Sequence, residues 1–270
     1  MKKIIAIAAS LLAFASLSAQ KINIDYKSAK SSYGKISISP MDKTVTVGTD
    51  TITFAPKKEG VTYTISGYFI GQLINKTKNT VLKFNNAYIE NTEGRPAVYG
   101  DAKIEISSTL GSNNYIISSG TGEKNGAIHC KKNLELGGSG TMNVVGNVRH
   151  GIKGDDIKMK GSGIWYVQGT KNGSAINSRS FLAEREKTFK AYFVNSKNGI
   201  KADNTVSISS GNLFIYDNET GFKTDTKKDD PANPHSIRLA GGVIHTLGNK
   251  TFYETEQNAF NDKGAKVLQD

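Results

Sequence analysis

The feature that most constrains this chain is a repeat. Ile128, Ile152, Ile176 and Ile200 stand 24 residues apart, and Phe222 follows Ile200 after 22. Each is preceded by a small residue and followed by a variable one, as in Ala127-Ile128-His129, Gly151-Ile152-Lys153 and Gly199-Ile200-Lys201. A fixed period of this length is the mark of a solenoid. Inside one period the pattern alternates every second residue, in Asp156-Ile157-Lys158-Met159 and again in Ile164-Trp165-Tyr166-Val167, with Gly161-Ser162-Gly163 between them. Three short alternating segments separated by Gly, Ser, Asn or Asp predict three strands per coil. Glycine recurs in every period and no window carries helical apolar spacing, so helical and leucine-rich repeats are excluded. The expected fold is all-β, a parallel β-helix with three strands per coil.

The predicted organisation is a signal peptide over 1–19, an N-terminal β cap over 20–59, the β-helix over 60–248 and a C-terminal tail or cap over 249–270. The first segment has Lys2 and Lys3, an apolar run from Ile4 to Leu17 and small residues up to Ala19, which reads as export. The run is short for a membrane span and is interrupted by Ser10 and Ser16. No cysteine stands directly after it, so a secreted, periplasmic or cell-surface protein without a lipid anchor is expected. Within the β-helix, insertions are expected at Ala183 to Lys187 and in the polar loop Lys227 to Pro234. Cys130 is the only cysteine, so no disulfide supports the fold; it aligns with Gly100, Gly154, Ser178, Ala202 and Thr224 as a small packing residue.

In such a fold, equivalent positions of successive coils lie about 4.8 Å apart, which turns the sequence into columns. Val98, Ile128, Ile152, Ile176, Ile200 and Phe222 form an inward column. Trp165 falls in another with Met142, Leu213 and Ile244. One residue past the first column, Tyr99, His129, Lys153, Asn177, Lys201 and Lys223 point outward. Lysines so close together repel unless an anion lies between them, so Lys153, Asn177, Lys201 and Lys223 are candidates for binding the carboxylates of an acidic glycan. The plain alternative is a solvated face. With a net charge of +11, the surface attracts polyanions in either case.

Two further columns carry candidates. At the turn, Asp101, Lys131, Asp155, Arg179, Asp203 and Asp225 alternate in sign until the last pair, which suggests intercoil ion pairs. Asp203 over Asp225 is where a hard cation such as calcium is expected, with Asp155 and Asp217 as further acidic candidates; ordinary turn chemistry is the alternative. On the last strand of each coil, Asn143, Tyr166, Phe193, Phe214 and His245 are read as one outward row. Tyr166, Phe193 and Phe214 are then candidate sugar platforms, unless they stack on one another or are covered. No zinc pair, paired-cysteine motif, phosphate loop, nucleophile elbow or hydrolytic carboxylate pair is present, so no catalytic residue is assigned.

Thr62-Tyr63-Thr64-Ile65-Ser66-Gly67, Thr80 to Ile89, Gly94 to Val98 and the recurring Gly-Ile-Lys openings resemble the bacterial carbohydrate-binding domain proteins, and the resemblance implies a right-handed single-stranded parallel β-helix similar in shape to pectate lyases. The resemblance implies binding of an extracellular polysaccharide, pectic or cellulosic, with calcium held by turn acids. The chain departs from it in charge: Lys131 and Arg179 take two turn positions, so fewer calcium sites are expected. The expected function is therefore a non-catalytic, exported, monomeric module for an acidic, pectin-like polysaccharide, with no membrane span and no nucleic acid partner. Two alternatives stay open, a calcium-assisted polysaccharide lyase using a lysine such as Lys201 as base and a structural surface protein or adhesin.

Overall fold

A computed structural model describes residues 22, 24–122, 125–184, 187–225, 235–255 and 259–269. The expected signal peptide and the loop from Lys227 to Pro234 lie outside them. Parallel strands stack in register into three sides. The first is built on Thr51–Phe54, Gln72–Asn75, Val98–Gly100, Gly126–Cys130, His150–Lys153, the opening halves of Ser174–Ala183 and Asn198–Ile208, Thr220–Thr224 and Thr251–Glu254. The second side passes through Ile104–Ser108, Leu134–Leu136 and Asp156–Met159, and the third through Asn113–Ser118, Thr141–Gly146, Ile164–Gln168, Lys190–Val194, Asn212–Tyr216 and Val243–Leu247.

The inward column is a continuous apolar rod. Val98 pairs with Ile128, then Ile152, Ile176, Ile200 and Phe222, and each is at most 1% exposed. Burying one such side chain stabilises the fold by about 1.5–3 kcal/mol, but only once a second coil covers it, so the coils are stable as a stack. Size alternates where it must. Trp165 is fully buried between Met142 and Ala191, and the smallness of Ala191 leaves room for the indole. Cys130 lies beside Gly100, where a Cβ would stand only 2.9 Å from its sulfur.

The corner between the third and first sides is held by asparagines. Asn195 and Asp217 adopt left-handed backbone (φ 53° and 55°), a conformation that Asn and Asp tolerate better than most residues. Buried Asn218 accepts from the Ser196 amide (3.0 Å) and donates to the Phe193 carbonyl (2.9 Å). One coil on, Asn249 accepts from the Asn218 amide (3.0 Å) and donates to the Ile215 carbonyl (2.6 Å). Amide groups that the turn leaves unpaired are thereby satisfied from coil to coil.

At both ends the chain continues past the regular coils. At the start, Ser37–Ser39 runs antiparallel to Thr62–Ile70, and Val45–Val47 forms a hairpin with Thr51–Phe54. Residues 22 and 24–33, however, lie along the outside of the third side. Ile24 packs with Tyr88, Tyr115, Ile117 and Val145, the Tyr33 hydroxyl donates to the Asn113 carbonyl, and the Ile22 carbonyl accepts from Asn195. The outward tyrosines of the early coils form an apolar row, and this strap removes it from water. At the other end the chain keeps coiling past residue 248: Thr251, Phe260 and Lys266 pair in register with Thr220, Ile237 and Val243.

Replacing Asn218 with alanine orphans the Ser196 amide and the Phe193 carbonyl, at a cost of about 1–3 kcal/mol. A urea titration is expected to show a lower unfolding midpoint for Asn218→Ala and an unchanged one for Asn172→Ala on the exposed turn.

Candidate functional site

The first side carries an open groove on its outer face. The register that stacks the isoleucines also stacks the residues after them: Tyr99, His129, Lys153, Asn177, Lys201 and Lys223 lie in one column, continued by Glu254. Lys153, Asn177, Lys201 and Lys223 line the groove together with Arg149, His150, Gly173, Ser174, Lys197, Asp203 and Asp225. Arg149 and Lys197 were not identified from the sequence. They precede the first-side strand and obey the same 24-residue subtraction through Gly173, so the period extends to the turn before the strand.

The cations of this groove fall into two kinds. Lys201 Nζ lies 3.2 Å from Asp225 Oδ1 and 3.7 Å from Asp203 Oδ1, and Lys223 Nζ lies 2.6 Å from Glu254 Oε1. Arg149, Lys153 and Lys197 form no ion pair among the described residues. Between Arg149 and Lys197 stands Gly173, where a Cβ would fall 1.8 Å from the Arg149 carbonyl oxygen. Only glycine fits there, and its lack of a side chain keeps the floor of the groove open. Strand and coil spacing place Lys153 and Lys201 roughly 10 Å apart across Asn177. Such an arrangement can hold a chain of anionic groups, and it offers amide and hydroxyl partners from Asn177 and Ser174 between the charges.

His129 and His150 add no charge at neutral pH. Burial, with the nearby charges of Arg149 and Lys153, lowers His150 to about 3, and its Nδ1 accepts from the Ser174 amide at 3.0 Å. Burial, followed by the charges of Lys153 and Lys131, lowers His129 to about 4.

The turn column forms the intercoil ion pairs that its alternating signs suggest. Lys131 and Lys76 both meet Asp101, and Arg179 Nε lies 2.9 Å from Asp155 while its guanidinium also meets Asp156. The four acidic candidates for calcium are not brought together. Asp155 is occupied by Arg179. Asp217 lies at the opposite end of the first-side strand from Asp225 and lines a separate depression with Lys171, Glu219 and Lys250. What remains is Asp203 and Asp225 with the Lys201 ammonium against both. Burial raises the Asp203 carboxyl above its ordinary range; the Lys201 charge opposes this and the Asp225 charge adds to it. Calcium takes six to eight oxygens, and no group of three or more His, Cys, Asp or Glu residues suited to a metal occurs among the described residues. With the Lys201 ammonium seated against both acids, these residues do not fit the calcium that the resemblance implies.

The aromatic row needs two corrections. Its members are Tyr68, Tyr88, Tyr115, Asn143, Tyr166, Tyr192, Phe214 and His245. Phe193 is fully buried and pairs inward with Val167 and Ile215. Trp165 opposite Ala191 sets this phase, and the irregular segment after Ala183 breaks the 24-residue count that would have shown it. Tyr166 and Phe214 do lie outward, but the rings stack on one another: Tyr166 on Tyr192 at 4.5 Å, Tyr192 on Phe214 at 4.3 Å and Phe214 on His245 at 4.4 Å, within 16° of parallel. Inside that stack the faces are covered and the edges meet water, so the flat platform a pyranose needs is absent between these rings.

Comparison with known proteins agrees with this architecture. The family described as carbohydrate-binding domain-containing protein matches residues 41–173. No curated protein matches the chain. A solved structure of the polysaccharide lyase-like protein from C. thermocellum, a gadolinium derivative, is similar with a TM-score of 0.53 and 19% identity, over 85% of this chain and 92% of that one. At that identity the likeness shows the fold. No helix among the described residues is long and apolar enough to cross a membrane.

Because His150 is neutral when folded and titrates near its ordinary pKa when unfolded, the unfolded chain binds more protons between about pH 6.5 and 3. Stability contributed by the neutral imidazole is present above that window and is lost as the pH falls through it. Thermal melts from pH 7 to 4 are expected to show a smaller fall in Tm for His150→Asn than for the natural protein.

Proposed function

We propose that this chain, which through residues 41–173 matches the carbohydrate-binding domain-containing proteins, is an exported binding module for an acidic polysaccharide, and that it binds in the groove of its first side. One observation carries the reading: Arg149, Lys153 and Lys197 surround an open groove without acid partners among the described residues. Like charges held this close are costly unless a counter-anion lies between them. A uronate chain supplies one carboxylate per acidic sugar, and the coil spacing presents cations along the same direction. Arg149 offers a planar fork suited to a carboxylate, and the lysines act as point charges.

Neutral glycans are the weaker fit. Sugar stacking needs open ring faces, and the ring ladder of the third side spends its faces internally. Asn177 and Ser174 supply hydrogen bonds to hydroxyl groups between the charges, which favours a glycan over a featureless polyanion. Lys201 and Lys223 are partly neutralised by their own acids, so they add less to the attraction than their position in the column suggests.

Retention on immobilised polygalacturonate tests this. The natural protein is expected to be retained at low salt and released as salt screens the exposed charges. Lys153→Ala combined with Lys197→Ala is expected to weaken binding roughly tenfold, from about 0.5–1 kcal/mol per lost contact. Lys223→Ala, which loses a cation already paired with Glu254, is expected to change it much less. Equal, salt-independent retention on unsubstituted cellulose would sink the proposal. Release of unsaturated product absorbing in the ultraviolet would replace it with a lyase.

A further inference from the structure

The turn after the first-side strand places two carboxylates, Asp203 and Asp225, on adjacent coils, an arrangement that ordinarily calls for a cation. The chain brings its own. Lys201 leaves the same strand two residues before Asp203, and its ammonium reaches both acids, at 3.7 Å and 3.2 Å. The Lys201 side chain is less exposed than either acid (25% against 54% and 32%), so its charge is held against the two carboxylates rather than extended into water. A second observation points the same way. The Asp203 carbonyl oxygen, a backbone ligand of the type calcium sites use, is taken by His235 Nδ1 at 2.6 Å. Other acids of this column receive the same treatment, Asp101 from Lys76 and Lys131 and Asp155 from Arg179.

We propose that Lys201 is an intramolecular replacement for a divalent cation: its ammonium bridges Asp203 and Asp225, closes this turn to calcium, and lets the groove keep its shape without metal. The claim concerns the turn alone. Its test contains no glycan, so it can fail while glycan binding stands, and the reverse.

The test is calorimetric titration of the full chain with calcium chloride, alongside thermal melts with calcium or with a chelator. The natural protein is expected to give no saturable heat and the same Tm in both solutions. Lys201→Met frees the two carboxylates, and this variant is expected to acquire saturable calcium binding in the weak range of about 10⁻⁴–10⁻³ M typical of extracellular sites. Adding Asp203→Asn to Lys201→Met is expected to abolish it. Should Lys201→Met fail to fold by circular dichroism, Lys201→Gln keeps the stem and a polar tip and answers the same question. Saturable calcium binding by the natural protein that is lost in Asp203→Asn overturns the proposal. So does a folded Lys201→Met or Lys201→Gln that takes up no calcium, because the lysine is then not what excludes the ion.

Discussion

The rod of stacked aliphatic side chains from Val98 to Phe222 is the interaction from which the other features follow. Each coil offers one apolar residue that only its neighbours can bury, so the favourable burial term exists between coils rather than within them. The same contact fixes register. A slip of one residue would turn the whole inward set outward, and with Ile128, Ile152, Ile176 and Ile200 fully enclosed that alternative is closed. Once the rod is in place, alternation sends the next residue of every coil to the outer face, and the lysines share a column because the isoleucines do.

Charge then distributes itself over a surface on which every neighbour is about one coil away. On the second side Lys160 lies between Glu105 and Glu135, at 2.8 Å and 2.6 Å, and Lys103 also meets Glu135. On the turn, Arg179 joins Asp155 and Asp156. Exposed pairs of this kind are individually weak, but they let a chain with a large net positive charge stack cations at close spacing. Against that background Arg149, Lys153 and Lys197 stand out, because they line one open groove and none of them forms an ion pair among the described residues. The coil that separates them contributes Gly173 and Asn177, the two residues least able to fill the space or neutralise it.

The third side shows the same geometry used for another purpose. Rings at coil spacing lie face to face from Tyr166 to His245, while in the earlier coils the strap from Ile22 to Tyr33 covers the tyrosines. Both solutions shelter apolar surface that a regular solenoid would expose along its length. They also separate the faces of the molecule, with the first side keeping an open polar groove and the third closing over its aromatics.

The sequence alone determined what repeats. The period, the three strands per coil, the inward aliphatics, the burial of Trp165 and the column of Lys153, Asn177, Lys201 and Lys223 are all consequences of backbone spacing, and backbone spacing is written in residue counts. Tertiary structure decided what depends on reach rather than on count. A lysine side chain spans more than one coil, so nothing in the spacing says that Lys201 bends to Asp203 and Asp225 while Lys153 meets no acid among the described residues. Counting also fails where a coil changes length, which is why Phe193 looks outward in the sequence and lies buried in the fold, with Tyr192 in its place. Contacts between segments far apart in the chain, such as Ile22 with Asn195, leave no periodic trace, because only the folded stack brings them together.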